Sequence, residues 1–143
     1  GDVPVAGDYD GDGRMDATVF RPSDRVWYTL RSSNATMQAV QFGLSTDNLV
    51  PADYDGDGRT DVAIFRDGAW WTLNSGSTSV SVTAWGTAGD TPVSGDYDGD
   101  GKTDTAVFRP ASANWFVNRS TAGTLIQQFG LTTDRPVPNA FVP

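Results

Sequence analysis

Apolar residues in this chain come in short runs separated by clusters of Gly, Asp, Ser and Asn, and no run keeps a 3.6-residue period with helix caps. The runs are rich in β-branched and aromatic residues, which favours strands. Three of them, Ala17-Thr18-Val19-Phe20, Val62-Ala63-Ile64-Phe65 and Thr105-Ala106-Val107-Phe108, are apolar at successive positions. A strand with one wet face would alternate, so these predict central strands covered on both sides. Val80, Val82 and Ala84 do alternate with Ser81 and Thr83, as suits an outer strand with one wetter face. In the first third of the chain the predicted extended pieces are Val3 to Gly7, Ala17 to Arg21, Val26 to Arg31 and Met37 to Phe42.

The four pieces recur. Asp8 to Asp53 is 45 residues and Asp53 to Asp96 is 43, the length of a four-stranded propeller blade. Phe20, Phe65 and Phe108 fall in register, and Arg21, Arg66 and Arg109 follow them directly. Trp27, Trp70 and Trp115 align once a two-residue shortening in the second unit is allowed for, as do Phe42-Gly43, Trp85-Gly86 and Phe129-Gly130. The prediction is an all-β chain of three tandem four-stranded antiparallel blades of β-propeller type, in residues 1–43, 44–86 and 87–130. A fourth unit begins in 131–143, where Pro136-Val137 matches Pro4-Val5 and Pro92-Val93, but Ala140 stands where the next acidic loop would open. Arg135 to Val142 is therefore predicted to be an orphan strand. Propellers need about four blades or more to close, so three are expected to leave terminal faces open to association with another copy.

Between the first and second piece of each unit stands the loop Asp-Tyr-Asp-Gly-Asp-Gly-x-x-Asp, at 8–16, 53–61 and 96–104. Side-chain oxygens at loop positions 1, 3, 5 and 9 come from Asp8, Asp10, Asp12 and Asp16, from Asp53, Asp55, Asp57 and Asp61, and from Asp96, Asp98, Asp100 and Asp104. The backbone carbonyls of Arg14, Arg59 and Lys102 at position 7 are placed to turn inward. That is the oxygen cage a hard cation takes, and it predicts about one Ca²⁺ per loop. Gly13, Gly58 and Gly101 fall where the chain must bend sharply. Without an ion, four crowded carboxylates would repel one another. Position 12 of each loop is Val19, Ile64 or Val107 where an EF-hand has a carboxylate, and a strand follows where a helix should.

Composition sharpens this. All eighteen acidic residues are Asp, and twelve lie in the three loops, so the net charge of −8 is concentrated there. Ten Lys and Arg in a net acidic chain leave no footprint for nucleic acid or an anionic membrane, and no apolar run has the length of a membrane span. The absence of Cys and His removes thiol nucleophiles, imidazole bases and the usual zinc ligands. With the clustered acids committed to metal, the chain is not expected to be an enzyme. Weak calcium sites suit the calcium-rich extracellular space, and the missing initiator Met reads as a mature or excised segment. Trp27, Trp70 and Trp115 are expected in the blade cores, Trp71 nearer the surface. The three in-register arginines are expected to pair with loop carboxylates or neighbouring-blade carbonyls.

The triplicated loop, the apolar strand after it and the closing Phe-Gly or Trp-Gly pair resemble the integrin-type repeats called FG-GAP or VCBS. The resemblance covers nearly the whole chain and is closest to the short bacterial form, since the units are shorter than integrin repeats and lack the Gly-Ala-Pro half of that signature. It implies a secreted propeller whose blades bind calcium through the twelve loop aspartates. The expected function is a structural or adhesive module, either self-assembling as a ring or fibre or forming part of a larger extracellular protein. The alternatives are a carbohydrate-binding, lectin-like propeller with Trp71 beside an inter-blade cleft, or an accessory domain of a secreted hydrolase.

Overall fold

The structure is a computed structural model and describes residues 1–137. Twelve strands form three separate four-stranded antiparallel sheets, and there is no helix among the described residues. Sheet 1 runs in the order β1 (Val3–Pro4), β2 (Ala17–Arg21), β3 (Val26–Leu30), β4 (Met37–Gln41). Sheet 2 repeats the order with β5 (Asn48–Leu49), β6 (Val62–Arg66), β7 (Ala69–Leu73) and β8 (Val80–Ala84). Sheet 3 has β9 (Thr91–Pro92), β10 (Thr105–Arg109), β11 (Asn114–Arg119) and β12 (Gly123–Gln128). Each is an up-and-down meander of propeller-blade type, and none closes on itself. The first strands are shorter than predicted. Beyond Pro4 the chain holds β2 through the Val5 N–H to the Thr18 carbonyl and an isolated bridge, Gly7 to Asp16.

Register decides which side chains share a face. Phe20 lies opposite Trp27, Phe65 opposite Trp70 and Phe108 opposite Trp115, with ring centroids 5.4, 5.2 and 5.4 Å apart. This aromatic pair marks the forward face of each sheet; the intervening residues, such as Val19, Ile64 and Val107, form the rear face. The forward face of sheet 1 packs on the rear face of sheet 2, where Phe20 and Trp27 cluster with Val62 and Ile64. The forward face of sheet 2 does the same to sheet 3, with Phe65 and Trp70 against Val107 and Phe116. The cores are therefore between sheets, and Trp27 and Trp70 are each only 1% exposed, as expected for blade cores. Each tryptophan also donates its indole N–H to the carbonyl closing its own unit, Phe42, Trp85 or Phe129, at 2.9–3.1 Å. Burying that N–H without a partner would be costly.

The Phe-Gly and Trp-Gly pairs take the chain from one sheet to the next. Gly43 and Gly86 have φ of +87° and +104°, and a Cβ there would meet the side chains of Ile64 and Val107 at 3.1 and 2.9 Å. A tight, left-handed step beneath the next central strand requires glycine. The fourth strands are wetter than their alternation predicted: Val80 and Val82 are about half exposed. They lie on the rear face of sheet 2, while its forward face toward sheet 3 carries Ser81 and Thr83, which line an open cleft between the two sheets.

One expectation needs correction. Arg21, Arg66 and Arg109 bind neither loop carboxylates nor neighbouring carbonyls. Each makes a two-pronged pair, through Nε and Nη2, with the aspartate just before its own first strand: Asp2, Asp47 and Asp90 respectively. A planar guanidinium fits a carboxylate in that way. These arginines leave their strands beside the start of the paired first strand, far from the loop at its other end. The predicted orphan strand, Arg135 to Val142, lies mostly outside the described residues; its described part, residues 135–137, pairs with no strand.

Candidate metal centre

Each acidic loop joins the first and second strand of its sheet and is wound around its own first carboxylate. Asp8 accepts the N–H groups of Gly11 and Asp12 on Oδ1, at 2.7 and 3.2 Å, and that of Gly13 on Oδ2 at 2.8 Å. Asp53 and Asp96 repeat the pattern with Gly56, Asp57 and Gly58 and with Gly99, Asp100 and Gly101. Asx-type bonding of this kind is what short acidic turns do. Gly13, Gly58 and Gly101 adopt φ of +83°, +84° and +89° with open space around them, so glycine is needed there for conformation alone.

Position 9 anchors the loop to the sheet. Asp16, Asp61 and Asp104 are almost fully buried, and each accepts two backbone N–H groups: from Tyr9 and Ser32, Tyr54 and Ser75, or Tyr97 and Ser120. The tyrosine hydroxyls in turn donate to the carbonyls of Val5, Val50 and Val93. Burial first, and then the nearby Asp16, Asp61 or Asp104, pushes all three hydroxyls above the ordinary tyrosine range. Burial also raises Asp61 above the usual carboxylate range.

Sequence reasoning missed the serines. The hydroxyls of Ser32, Ser75 and Ser120 donate to Asp12, Asp57 and Asp100 at 2.8, 3.0 and 2.5 Å, and Ser33 and Thr121 likewise bind Asp10 and Asp98. Their recurrence 24, 22 and 24 residues after each first Asp was the available signal. The hydrogen bond from Ser33 holds Asp10 below the usual carboxylate range. At Asp98 burial acts to raise the carboxyl, and the hydrogen bonds from Thr121 and Ala122 outweigh it.

Three carboxylates in each loop offer oxygens within 4.8 Å of one another: Asp8, Asp10 and Asp16; Asp53, Asp55 and Asp57; Asp96, Asp98 and Asp104. The remaining predicted ligands, Asp12, Asp61 and Asp100, stand outside these groups and are occupied by the serine and backbone donors just described. The carbonyls of Arg14, Arg59 and Lys102 accept no hydrogen bond among the described residues. The side chains of Arg59 and Lys102 leave their own loops and lie against Gly11 and Gly56 of the loop before. Among the described residues no Lys or Arg forms an ion pair with any of the twelve loop aspartates. Asp98 Oδ1, inside the third group, is buried and has no hydrogen-bond partner. An oxygen-only donor set, uncompensated charge and an orphaned carboxylate oxygen fit a hard divalent cation.

Trp71, the candidate platform for a sugar, is 37% exposed on the rear face of sheet 2. The cleft between sheets 2 and 3 is lined mainly by small polar residues, including Thr72, Ser81, Thr83 and Asn118, and Trp71 does not reach it.

The sequence model of the FG-GAP-like repeat matches twice, at residues 8–64 and 53–107. Both matches start on the first aspartate of a loop and run into the second strand of the following sheet, so the matched unit contains a whole sheet-to-sheet junction. Searches of curated proteins and of solved structures returned no significant match.

Proposed function

Because the chain belongs to the FG-GAP-like repeat family, we propose that it is a calcium-stabilised, non-catalytic repeat module with a structural or adhesive role outside the cell. The observation that carries this reading is the set of three carboxylate groups with no cationic side chain paired to them. In the first loop Asp8, Asp10 and Asp16 would hold the ion, with Asp12 and the Arg14 carbonyl completing the shell. The second loop would use Asp53, Asp55 and Asp57, and the third Asp96, Asp98 and Asp104. An all-oxygen set of several carboxylates and a carbonyl suits calcium better than magnesium, which demands a tight octahedron and keeps its waters. Bound there, the ion offsets half of the loop's carboxylate charge and ties the turn to the sheet at the Gly7–Asp16 bridge and its counterparts. The module serves either in assembly with copies of itself or as part of a longer extracellular chain.

Thermal melts with calcium and with excess chelator test this. An ion at about 100 times its Kd adds roughly 2.7 kcal/mol per site to the folded state, so chelation should lower the melting temperature and calcium should restore it. An unchanged melt in excess chelator would overturn the reading.

A further inference from the structure

We propose that the rear face of sheet 1 is a docking surface for the third sheet of a second copy of this chain, joined by exchange of residues 134–137 of one copy for residues 2–5 of the other. The inference rests on the reading of the chain as an assembling repeat module. The protein makes the same junction twice internally, and four features of that junction recur at the ends of the sheet stack; on sheet 3 Phe108 is already covered, 1% exposed and beside residues 134–137, so the exchange has to lift that segment away.

The first is apolar. On the second strands of sheets 2 and 3 the rear face is buried by the preceding Phe–Trp pair, leaving Ile64 and Val107 at 1% and 0% exposure. The matching positions of sheet 1 are more open: Val19 is half-buried, and Leu30 is 49% exposed where its counterpart Leu73 is half-buried. The second is a backbone hydrogen bond. Thr60 N–H donates to the Asp8 carbonyl at 2.6 Å, and Thr103 N–H to the Asp53 carbonyl at 2.7 Å. The equivalents, Met15 N–H and the Asp96 carbonyl, form no such bond among the described residues. The third is a close approach. Arg59 packs on Gly11 and Lys102 on Gly56, whereas Gly99 faces open space and Arg14 is the side chain at the matching position.

The fourth feature identifies the exchanged segment. Asp47 and Asp90 accept the N–H of Leu44 and Thr87 and also grip the arginine 19 residues on. Asp134 accepts the N–H of Leu131 at 2.9 Å in the same turn, yet has no arginine among the described residues. The sequence Asp134-Arg135-Pro136-Val137 keeps Asp, Pro and Val in the places they hold in Asp2-Val3-Pro4-Val5. Seated on β2 of a second copy, it would put Asp134 on Arg21 and Pro136 opposite Val19, as Asp2 and Pro4 now stand. Such a contact is head-to-tail, so it generates a ring or an open filament.

Sedimentation velocity in calcium over roughly a hundredfold range of concentration tests this, because association through a defined face follows mass action. The expected result is a mass that rises to about two or more monomers, with Leu30→Asp and Asp134→Arg both held as monomers. Asp134 is exposed, so its variant keeps the wild-type melt even if Leu30→Asp fails to fold. A wild-type protein that stays monomeric while calcium still raises its melting temperature overturns the docking and leaves the calcium reading intact. Assembly that ignores both Leu30→Asp and Asp134→Arg overturns it too. Assembly abolished by those variants in a protein whose melt ignores chelator supports the docking and removes the calcium reading.

Discussion

Strands β2 and β6 have nearly the same sequence pattern and the same place in their sheets, yet opposite surroundings. All four residues from Val62 to Phe65 are buried, while in β2 Ala17 is exposed and Val19 half-buried, with only Thr18 and Phe20 fully covered. The difference is on the rear face alone: β6 has the Phe20–Trp27 pair of sheet 1 against it, and β2 has no sheet before it. Strand β10, behind sheet 2, is buried like β6. On the rear face burial thus follows the neighbouring sheet, whereas the forward face of β10 is covered with no fourth sheet among the described residues, Ala106 and Phe108 being 0% and 1% exposed.

The sharpest way to break this comparison is to cut the same methyl groups from both strands. Ile64→Ala should cost about 2–5 kcal/mol, as buried large-to-small changes do. Val19→Ala should cost about 1 kcal/mol or less, close to surface behaviour. Urea unfolding of the two variants measures both; equal losses would mean that the rear face of sheet 1 is covered in solution.

The aspartate–arginine pairs give a smaller version of the same contrast. The side chains of Asp90 and Arg109 are 2% and 33% exposed, those of Asp2 and Arg21 36% and 42%. Arg109→Ala leaves a buried carboxylate short of its main partner and should cost about 1–3 kcal/mol. Arg21→Ala should cost only a fraction of that, because its pair is solvated and screened.

The smallest expected effect is on pH dependence. Burial acts to raise Asp90, but the hydrogen bonds and charge of Arg109, with help from Thr87, outweigh it and hold the carboxyl below its ordinary value. A depressed folded-state pKa adds stability that is fully present above the unfolded value of about 3.9 and is lost as pH falls through the folded one. The stability gap between wild type and Asp90→Asn should therefore be flat above about pH 5 and narrow below about pH 4. Urea midpoints across that range read it directly, and a gap that widens on acidification would contradict the assignment.

Much of the site was legible because it is local. The loop aspartates, the glycines with positive φ and the tyrosine at position 2 lie within nine residues of one another, and repetition aligned the three copies. The buried tryptophans were legible for the same reason. The arginine partners were missed although Asp2, Asp47 and Asp90 stand at one constant spacing before Arg21, Arg66 and Arg109. Spacing alone does not say which carboxylate the antiparallel pairing brings alongside. The serines after the third strand escaped for a similar reason, since they reach the loop only when β3, β7 and β11 are laid against β2, β6 and β10.

By itself the sequence determined the all-β class, the three-fold repeat, the identity of the central strands and the positions of the acidic loops. Those depend on alternation, turn residues and steric limits within a few neighbouring residues. Only the tertiary structure decided which face of each strand is dry, which aspartate each arginine holds and which three carboxylates in a loop converge. Those depend on register and on whether another sheet lies against the face, and both are set by contacts between residues far apart in the chain.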